Sequence, residues 1–293
     1  MGTQDKWRFC GNCASMFWNA LPWKGVCRAG SDGVHFANGF EFNLPFDEPE
    51  SQTVQRHWAF CKKCLELFWD GLPDRKGVCP AGGGHDGAGS FDFSLPHHVP
   101  ATPNAQDGWR FCEHCMAMFW DGDPAHRGPC PGSPAGHSPQ DSFPFVLPHY
   151  NDAKTVVVTL HNIFNDNTGD DPGNSLEIYG RFDVTRLNFR QDTGELVPLG
   201  SFNLFDRSEG DAQDIVEGTA FIVENSVRLM IFKDEFLQIT GHLKEDDDFG
   251  DDDLGNSRDI RIPFQGITNA PIDLGVFEDS DQRVVVNMSA AVL

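Results

Sequence analysis

Neither cysteine nor tryptophan occurs after Cys130, and no run of about 18 apolar residues occurs anywhere in the 293-residue chain. The second absence excludes a transmembrane helix. The residues from Met1 to Trp7 lack an apolar core, so we expect no signal peptide. The expected protein is soluble, either cytoplasmic or exported by a signal-peptide-independent route. Basic residues are scarce, 22 against 44 acidic, for a net charge of -22. A surface of that sign repels phosphate backbones and argues against nucleic acid as a partner. The chain has no Gly-x-Ser-x-Gly, no P-loop and no dinucleotide-binding glycine motif. Together these absences point away from the common enzyme classes.

All nine cysteines lie between Cys10 and Cys130, three to a repeat. An odd number per module does not suit a disulfide framework. Trp7, Trp58 and Trp109 stand 51 residues apart, as do Cys10, Cys61 and Cys112. The copies open WRFCGNCASMFW, HWAFCKKCLELFW and GWRFCEHCMAMFW, and close on FEFNLP, FDFSLP and FPFVLP. Each reads as about three short strands with loops held by a metal. The spacing predicts the ligand sets Cys10, Cys13, Cys27, His35; Cys61, Cys64, Cys79, His85; and Cys112, Cys115, Cys130, His137. The Cys-x2-Cys pair turns two thiolates toward one ion. A third Cys after 13 or 14 intervening residues, and a His after 5 to 7 more, complete a tetrahedron. Three closed zinc sites of structural type are expected, because modules of about 45 residues rarely fold without a staple. The other histidines do not recur at the matching place and read as surface or hydrogen-bonded groups.

The Phe-Trp pairs also recur. They suit a small core over each knuckle; alternatively Trp18, Trp69 and Trp120 offer an aromatic platform for a sugar ring or a partner protein. The equal steps permit one pseudo-threefold body, but we expect beads packed against each other.

The second half, from about residue 151, carries 28 acidic and 11 basic residues, so 28 - 11 accounts for 17 of the 22 net negative charges. Alternating runs at 155–160, 176–184, 221–223, 236–240, 260–264 and 283–288 read as an antiparallel sandwich of about eight strands. Two loops concentrate oxygen ligands, Asn165 to Asp171 and Glu245 to Gly255; the second holds seven carboxylates. Such a density suits Ca2+, which takes 6 to 8 oxygens in flexible geometry.

On these residues the second half resembles C2 domains. Asp246, Asp248, Asp252 or Asp253, and Leu254-Gly255 look like the third calcium loop of that family. Asp166 to Gly169 before Glu177-Ile178-Tyr179 looks like its first calcium loop and the strand after it. The resemblance implies Ca2+ at Asp166, Asp170, Asp171, Glu177, Asp246, Asp248, Asp252 and Asp253. No basic strand patch accompanies the loops, which argues against ordinary phosphoinositide binding. The repeats resemble a W-x-[FW]-C-x2-C…C…H pattern found in strings in bacterial proteins, a resemblance that implies zinc and no activity.

The whole therefore reads as mainly β: zinc modules at 1–49, 50–100 and 101–150, then an antiparallel C2-like β-sandwich at 151–293. The expected function is non-enzymatic recognition or attachment, zinc-stabilised and calcium-dependent, toward a cell surface, glycan, lipid or protein. A structural or toxin-associated scaffold is the alternative, and a metal-dependent hydrolase using the acidic loops is the second.

Overall fold

The computed structural model describes all residues except 1, 31, 151, 170–172, 191–193, 247–251 and 280. Among the described residues there is no α-helix, and the chain is built from antiparallel strands, as its composition of turn formers and alternating runs requires. It divides into two compact units, residues 1–152 with 190–194, and residues 153–189 with 195–293.

The first unit contains nine strands: β1 (Gly2–Cys10), β2 (Met16–Trp18), β3 (Ala37–Phe46), β4 (Val54–Phe60), β5 (Leu67–Trp69), β6 (Phe93–Pro96), β7 (Ala105–Phe111), β8 (Met118–Trp120) and β9 (Phe145–Pro148). Each repeat supplies three. Its first strand pairs with both others, in the registers Trp7↔Trp18, Trp58↔Trp69 and Trp109↔Trp120 on one side. The indoles of Trp7, Trp58 and Trp109 are fully buried. Each donates its N–H to a glutamine three residues back, Gln4, Gln55 or Gln106, at 3.1 Å. A buried indole N–H without an acceptor is costly, so the glutamine belongs to the core design.

The three repeats are not beads. Their first tryptophans, together with Met16, Phe42, Leu44, Leu67, Phe93, Leu95, Met118, Phe145 and Leu147, form one core cluster. Contacts run cyclically. Trp18 N–H donates to Leu65 O, Trp69 N–H to Met116 O, and Trp120 N–H to Ala14 O, at 2.9 to 3.0 Å. Isolated bridges repeat the cycle at Phe17↔Glu66, Phe68↔Ala117 and Ser15↔Phe119. A further ring of stacked pairs joins Phe46 to Phe91, His97 to Phe143, and His149 to Phe40, with centroids 4.1, 4.3 and 3.7 Å apart. The expectation of beads fails because no single repeat can cover its own tryptophan; its neighbour's aromatic residues do so.

The second unit contains β10 (Ala153–Thr168), β11 (Ser175–Phe189), β12 (Leu196–Arg207), β13 (Gln213–Val216), β14 (Ala220–Phe232), β15 (Glu235–Glu245), β16 (Asp252–Asp253), β17 (Arg258–Pro263), β18 (Ala270–Ile272), β19 (Val276–Asp279) and β20 (Gln282–Val292). One sheet runs β14-β10-β20-β18 with β19 also on β20. The other runs β12-β11-β15-β16, with β13 on β11 and β17 on β15. Strand β15 alternates buried and half-buried without a break, the pattern of a strand with one face on a core. That core includes Val156, Val158, Leu160, Ile178, Phe182, Ile239, Phe277 and Val284.

Candidate metal centres

Each metal set begins on a tight knuckle. Backbone bonds Cys10 N–H to Ser15 O, Cys61 N–H to Glu66 O, and Cys112 N–H to Ala117 O close it at 2.9 to 3.0 Å. The residue after the second cysteine must then turn through the left-handed region: Ala14, Leu65 and Met116 have φ of 66°, 70° and 69°. The third cysteine arrives on a turn of its own, with Cys27 N–H donating to Gly33 O and Cys79 N–H to Gly83 O at 2.7 and 2.8 Å.

The structure brings all twelve expected ligands together in three buried groups, each with its four ligand atoms within 4.8 Å of one another. Tetrahedral Zn2+ with Zn–S of about 2.3 Å and Zn–N of about 2.0–2.1 Å requires S···S near about 3.8 Å and S···N near about 3.5 Å. The observed Sγ pairs Cys10–Cys27, Cys61–Cys79 and Cys112–Cys130 stand at 3.9, 3.9 and 3.8 Å. Nδ1 of His35, His85 and His137 stands 3.6, 3.5 and 3.5 Å from Sγ of Cys13, Cys64 and Cys115. The donor sets fit zinc in distance and in chemistry, and the three groups are consistent with three zinc ions. Backbone N–H groups of Ala29, Asp86 and Gly132 approach Cys27, Cys61 and Cys130 sulfurs at 3.3 to 3.4 Å and favour their thiolate forms.

The ring face of each ligand histidine stacks on the phenylalanine of its own Phe-Trp pair, with centroids of Phe17–His35, Phe68–His85 and Phe119–His137 at 4.7, 4.8 and 4.9 Å. With Nδ1 turned to the sulfurs, Nε2 is left to donate outward. It donates from His35 to Cys64 O and from His85 to Cys115 O, both at 3.0 Å. Nε2 of His137 stands 3.5 Å from Ser15 Oγ. Such bonds fix the tautomer and the ring orientation of a metal ligand. Here the acceptors belong to the next repeat.

Without metal, protons must compensate these sulfurs. Hydrogen bonds from Cys64 and Cys79 hold the Cys61 thiol far below its usual range, and those from Cys115 and Cys130 do the same for Cys112. Burial pushes Cys10 up, but bonds from Cys13 and Cys27 outweigh it and leave that thiol low. Burial, reinforced by the neighbouring sulfurs, pushes Cys13, Cys64 and Cys115 up. Burial pulls the His85 imidazole down, yet bonds to Cys61 and Cys79 and the charge of Glu66 push it up to about 10. For His137 the bonds to Cys112 and Cys130 overcome burial and push it up to about 9. Each set thus has the electrostatics of a cation site.

Three structural roles were not legible in the sequence. Glu66 is buried, with Oε2 3.6 Å from Cys64 Sγ, whereas the equivalent positions hold Ser15 and Ala117. His97 and His149 occupy one recurring position after Leu-Pro, which Phe46 fills in the first repeat; the signal was the stacking role rather than the residue type. Gly25, Gly77 and Gly128 have φ of 75°, 63° and 74°, and a Cβ there would run into the carbonyl oxygens of Cys64, Cys115 and Cys13. Those glycines let the third-cysteine turn of one repeat rest on the knuckle of the next.

The Phe-Trp tryptophans are half-buried rather than fully exposed. Nε1 of Trp18, Trp69 and Trp120 donates to the backbone oxygens of Asp5, Arg56 and Asp107 at 3.0 to 3.2 Å. They edge-pack against Phe60, Phe111 and Phe9 of the next repeat.

The described flanks of the two acidic segments come to the same end of the second unit. Thr168 pairs with Gln282, Ile178 pairs with Glu245, and Asp246 N–H donates to Glu177 O at 2.9 Å. Of the expected calcium ligands, Asp166 lies 3.2 Å from Arg283, and Asp253 accepts from His242 at 2.7 Å. Glu177 is exposed and Asp246 half-buried. Asp170, Asp171 and Asp248, and the side chain of Asp252, lie outside the described residues. Among the described residues, the three Cys3His groups are the sets able to hold an ion.

No protein-family model, curated protein or solved structure matches the chain.

Proposed function

We propose that this chain is a non-enzymatic recognition protein whose first unit is a zinc-clamped ring and whose second unit takes up Ca2+ at its acidic end. The observation that carries the reading is the closure of the metal sets. Each offers four protein ligands and is buried, so the ion has no open position at which to activate water or polarise a substrate. All nine cysteines belong to these sets, which leaves no thiol as a nucleophile. The calcium part of the proposal rests on the sequence alone: seven carboxylates between Glu245 and Asp253 repel one another until a cation compensates them.

Metal analysis of the purified chain is expected to return three zinc ions, and a panel of ester, phosphodiester and peptide substrates is expected to show no turnover. Metal-dependent turnover lost in an Asp246→Asn, Asp248→Asn variant would transfer the protein to the hydrolases. A thermal melt in EGTA, Ca2+ and Mg2+ tests the second unit. Saturation at 100 times the dissociation constant adds about 2.7 kcal/mol. Ca2+ is expected to raise the transition and Mg2+ to leave it nearly unchanged. Identical melts in all three would reduce the loops to solvated charge.

A further inference from the structure

The ring of three repeats has three seams, and the repeats provide an internal comparison among them. In the seam between the first and second repeats the Leu65 side chain is buried against Gly25, and a Cβ on that glycine would lie 2.9 Å from Leu65 Cγ. In the next seam Met116 is buried against Gly77 in the same way, at 2.5 Å. In the third seam the equivalent residue is Ala14, and the nearest neighbours of Gly128 are backbone atoms of Cys13 and Ala14. The cysteine-knuckle position that holds Lys62 and Glu113 elsewhere is here Gly11. A cavity of about 470 Å³ opens where those side chains are missing, lined by Phe9, Asn12, Ala14, Trp120, Asp123 and His126 among others.

The opposite wall departs from the repeat as well. Aligned on the proline that follows, Leu21-Pro22, Leu72-Pro73 and Asp123-Pro124 correspond, and two residues before Gly25, Gly77 and Gly128 stand Trp23, Arg75 and His126. Asp123 and His126 are hydrogen-bonded to each other, Oδ2 to Nδ1, at 2.7 Å. That bond holds the Asp123 carboxyl below its usual range and turns the other ring nitrogen, Nε2, outward. The third seam has therefore lost its filling on one side and gained a polar rim on the other, while its backbone bond from Trp120 to Ala14 is kept.

We infer that this seam is a binding site for a neutral sugar ring, seated on the Trp120 and Phe9 faces and hydrogen-bonded by Asp123, His126 and Asn12. The chemistry selects that class. The cavity size is that of small-ligand sites, which run to about 300–1,000 Å³ with an apolar lining and a few placed polar groups. Phe9 and Trp120 stand edge to face at 5.9 Å and present an apolar corner that suits the C–H face of a pyranose. With Nδ1–H of His126 held by the carboxylate, the Asp–His pair offers two acceptors side by side, the second carboxylate oxygen and Nε2, which suits two vicinal hydroxyl donors. The rim carboxylate and the net charge of -22 oppose an anionic ligand. This inference rests on the recognition reading and gives it a ligand class. Zinc content and turnover test that reading independently of saccharide binding.

The test is a glycan array, followed by calorimetry with methyl pyranosides and short oligosaccharides, on the full zinc-loaded chain. At least one saccharide is expected to bind with one site per chain. Ala14→Leu restores the side chain of the first seam on a backbone that Leu65 already adopts, φ 66° against 70°. It is expected to weaken binding at least tenfold while three zinc ions and the melting temperature are kept. Asp123→Leu, the residue both other repeats carry, is expected to weaken it by a similar factor and serves where Ala14→Leu disturbs the fold. No binding anywhere on the array, or affinity unchanged in both variants, overturns the assignment. So does tighter binding of inorganic phosphate than of any saccharide.

Discussion

His85 completes the second metal set through Nδ1 and donates from Nε2, at 3.0 Å, to the carbonyl oxygen of Cys115, a ligand of the third set. His35 makes the same bond to Cys64. A histidine that holds one ion therefore also braces the knuckle that holds the next. Since metal-binding energy is folding energy in such sites, the three ions are expected to leave together. Chelator titration followed by native mass spectrometry should show the three-zinc and zinc-free chains with little between them. Cys61→Ala should cost more than one zinc. A stepwise loss, one ion per variant with the other repeats intact, would mean independent modules.

Acid should release the metal. In the metal-free set His85 binds its proton up to about pH 10, and zinc must displace that proton along with those of the buried thiols. The zinc-free state thus binds more protons than the loaded one at every pH below that value. Lowering pH favours it, and the apparent zinc affinity falls. A competition titration with a chromogenic chelator between pH 8 and pH 5 checks the sign; affinity independent of pH would contradict it.

Gly77→Ala places a methyl group against the Cys115 carbonyl on a residue with φ of 63°. Strain of this kind, with no flexible partner to yield, is expected to destabilise the first unit by about 2 kcal/mol or more. Gly83 has a similar φ of 65° but open space around it, so Gly83→Ala carries only the backbone strain and should cost less. Denaturant melts of the two variants separate the clash from the conformation.

Trp58→Ala removes a fully buried indole from the core shared by all three repeats, and the expected cost is about 3–5 kcal/mol. Trp23 is 48% exposed, and Trp23→Ala should stay within about 1 kcal/mol. Equal effects on the melt would show that the core is not shared.

In the second unit Arg186 donates to Glu235 at 2.7 and 3.2 Å, and Glu235 is almost wholly buried. Removing the cation leaves a buried carboxylate, so Arg186→Met is expected to cost about 3–5 kcal/mol. Adding Glu235→Gln should recover part of it in a double-mutant cycle.

The sequence by itself determined the metal sets, because every ligand lies within 25 residues of its partners and the knuckle needs only two cysteines with two residues between them. It also determined the β class and six of the sandwich strands, whose alternation survives without context. Strand β12 was not visible: Pro198 and Gly200 interrupt it, which an edge strand bonded along one side tolerates. The tertiary structure alone decided that the repeats close into a ring. The residues that join them, Gly77 against Cys115 or His149 against Phe40, are remote in sequence, and the stacked pair changes type from copy to copy. What recurs there is a space to be filled or left open, and spacing along a chain does not record it. For the same reason the open third seam could be found only where Ala14 meets Gly128, two residues that stand out in neither repeat until the ring brings them together.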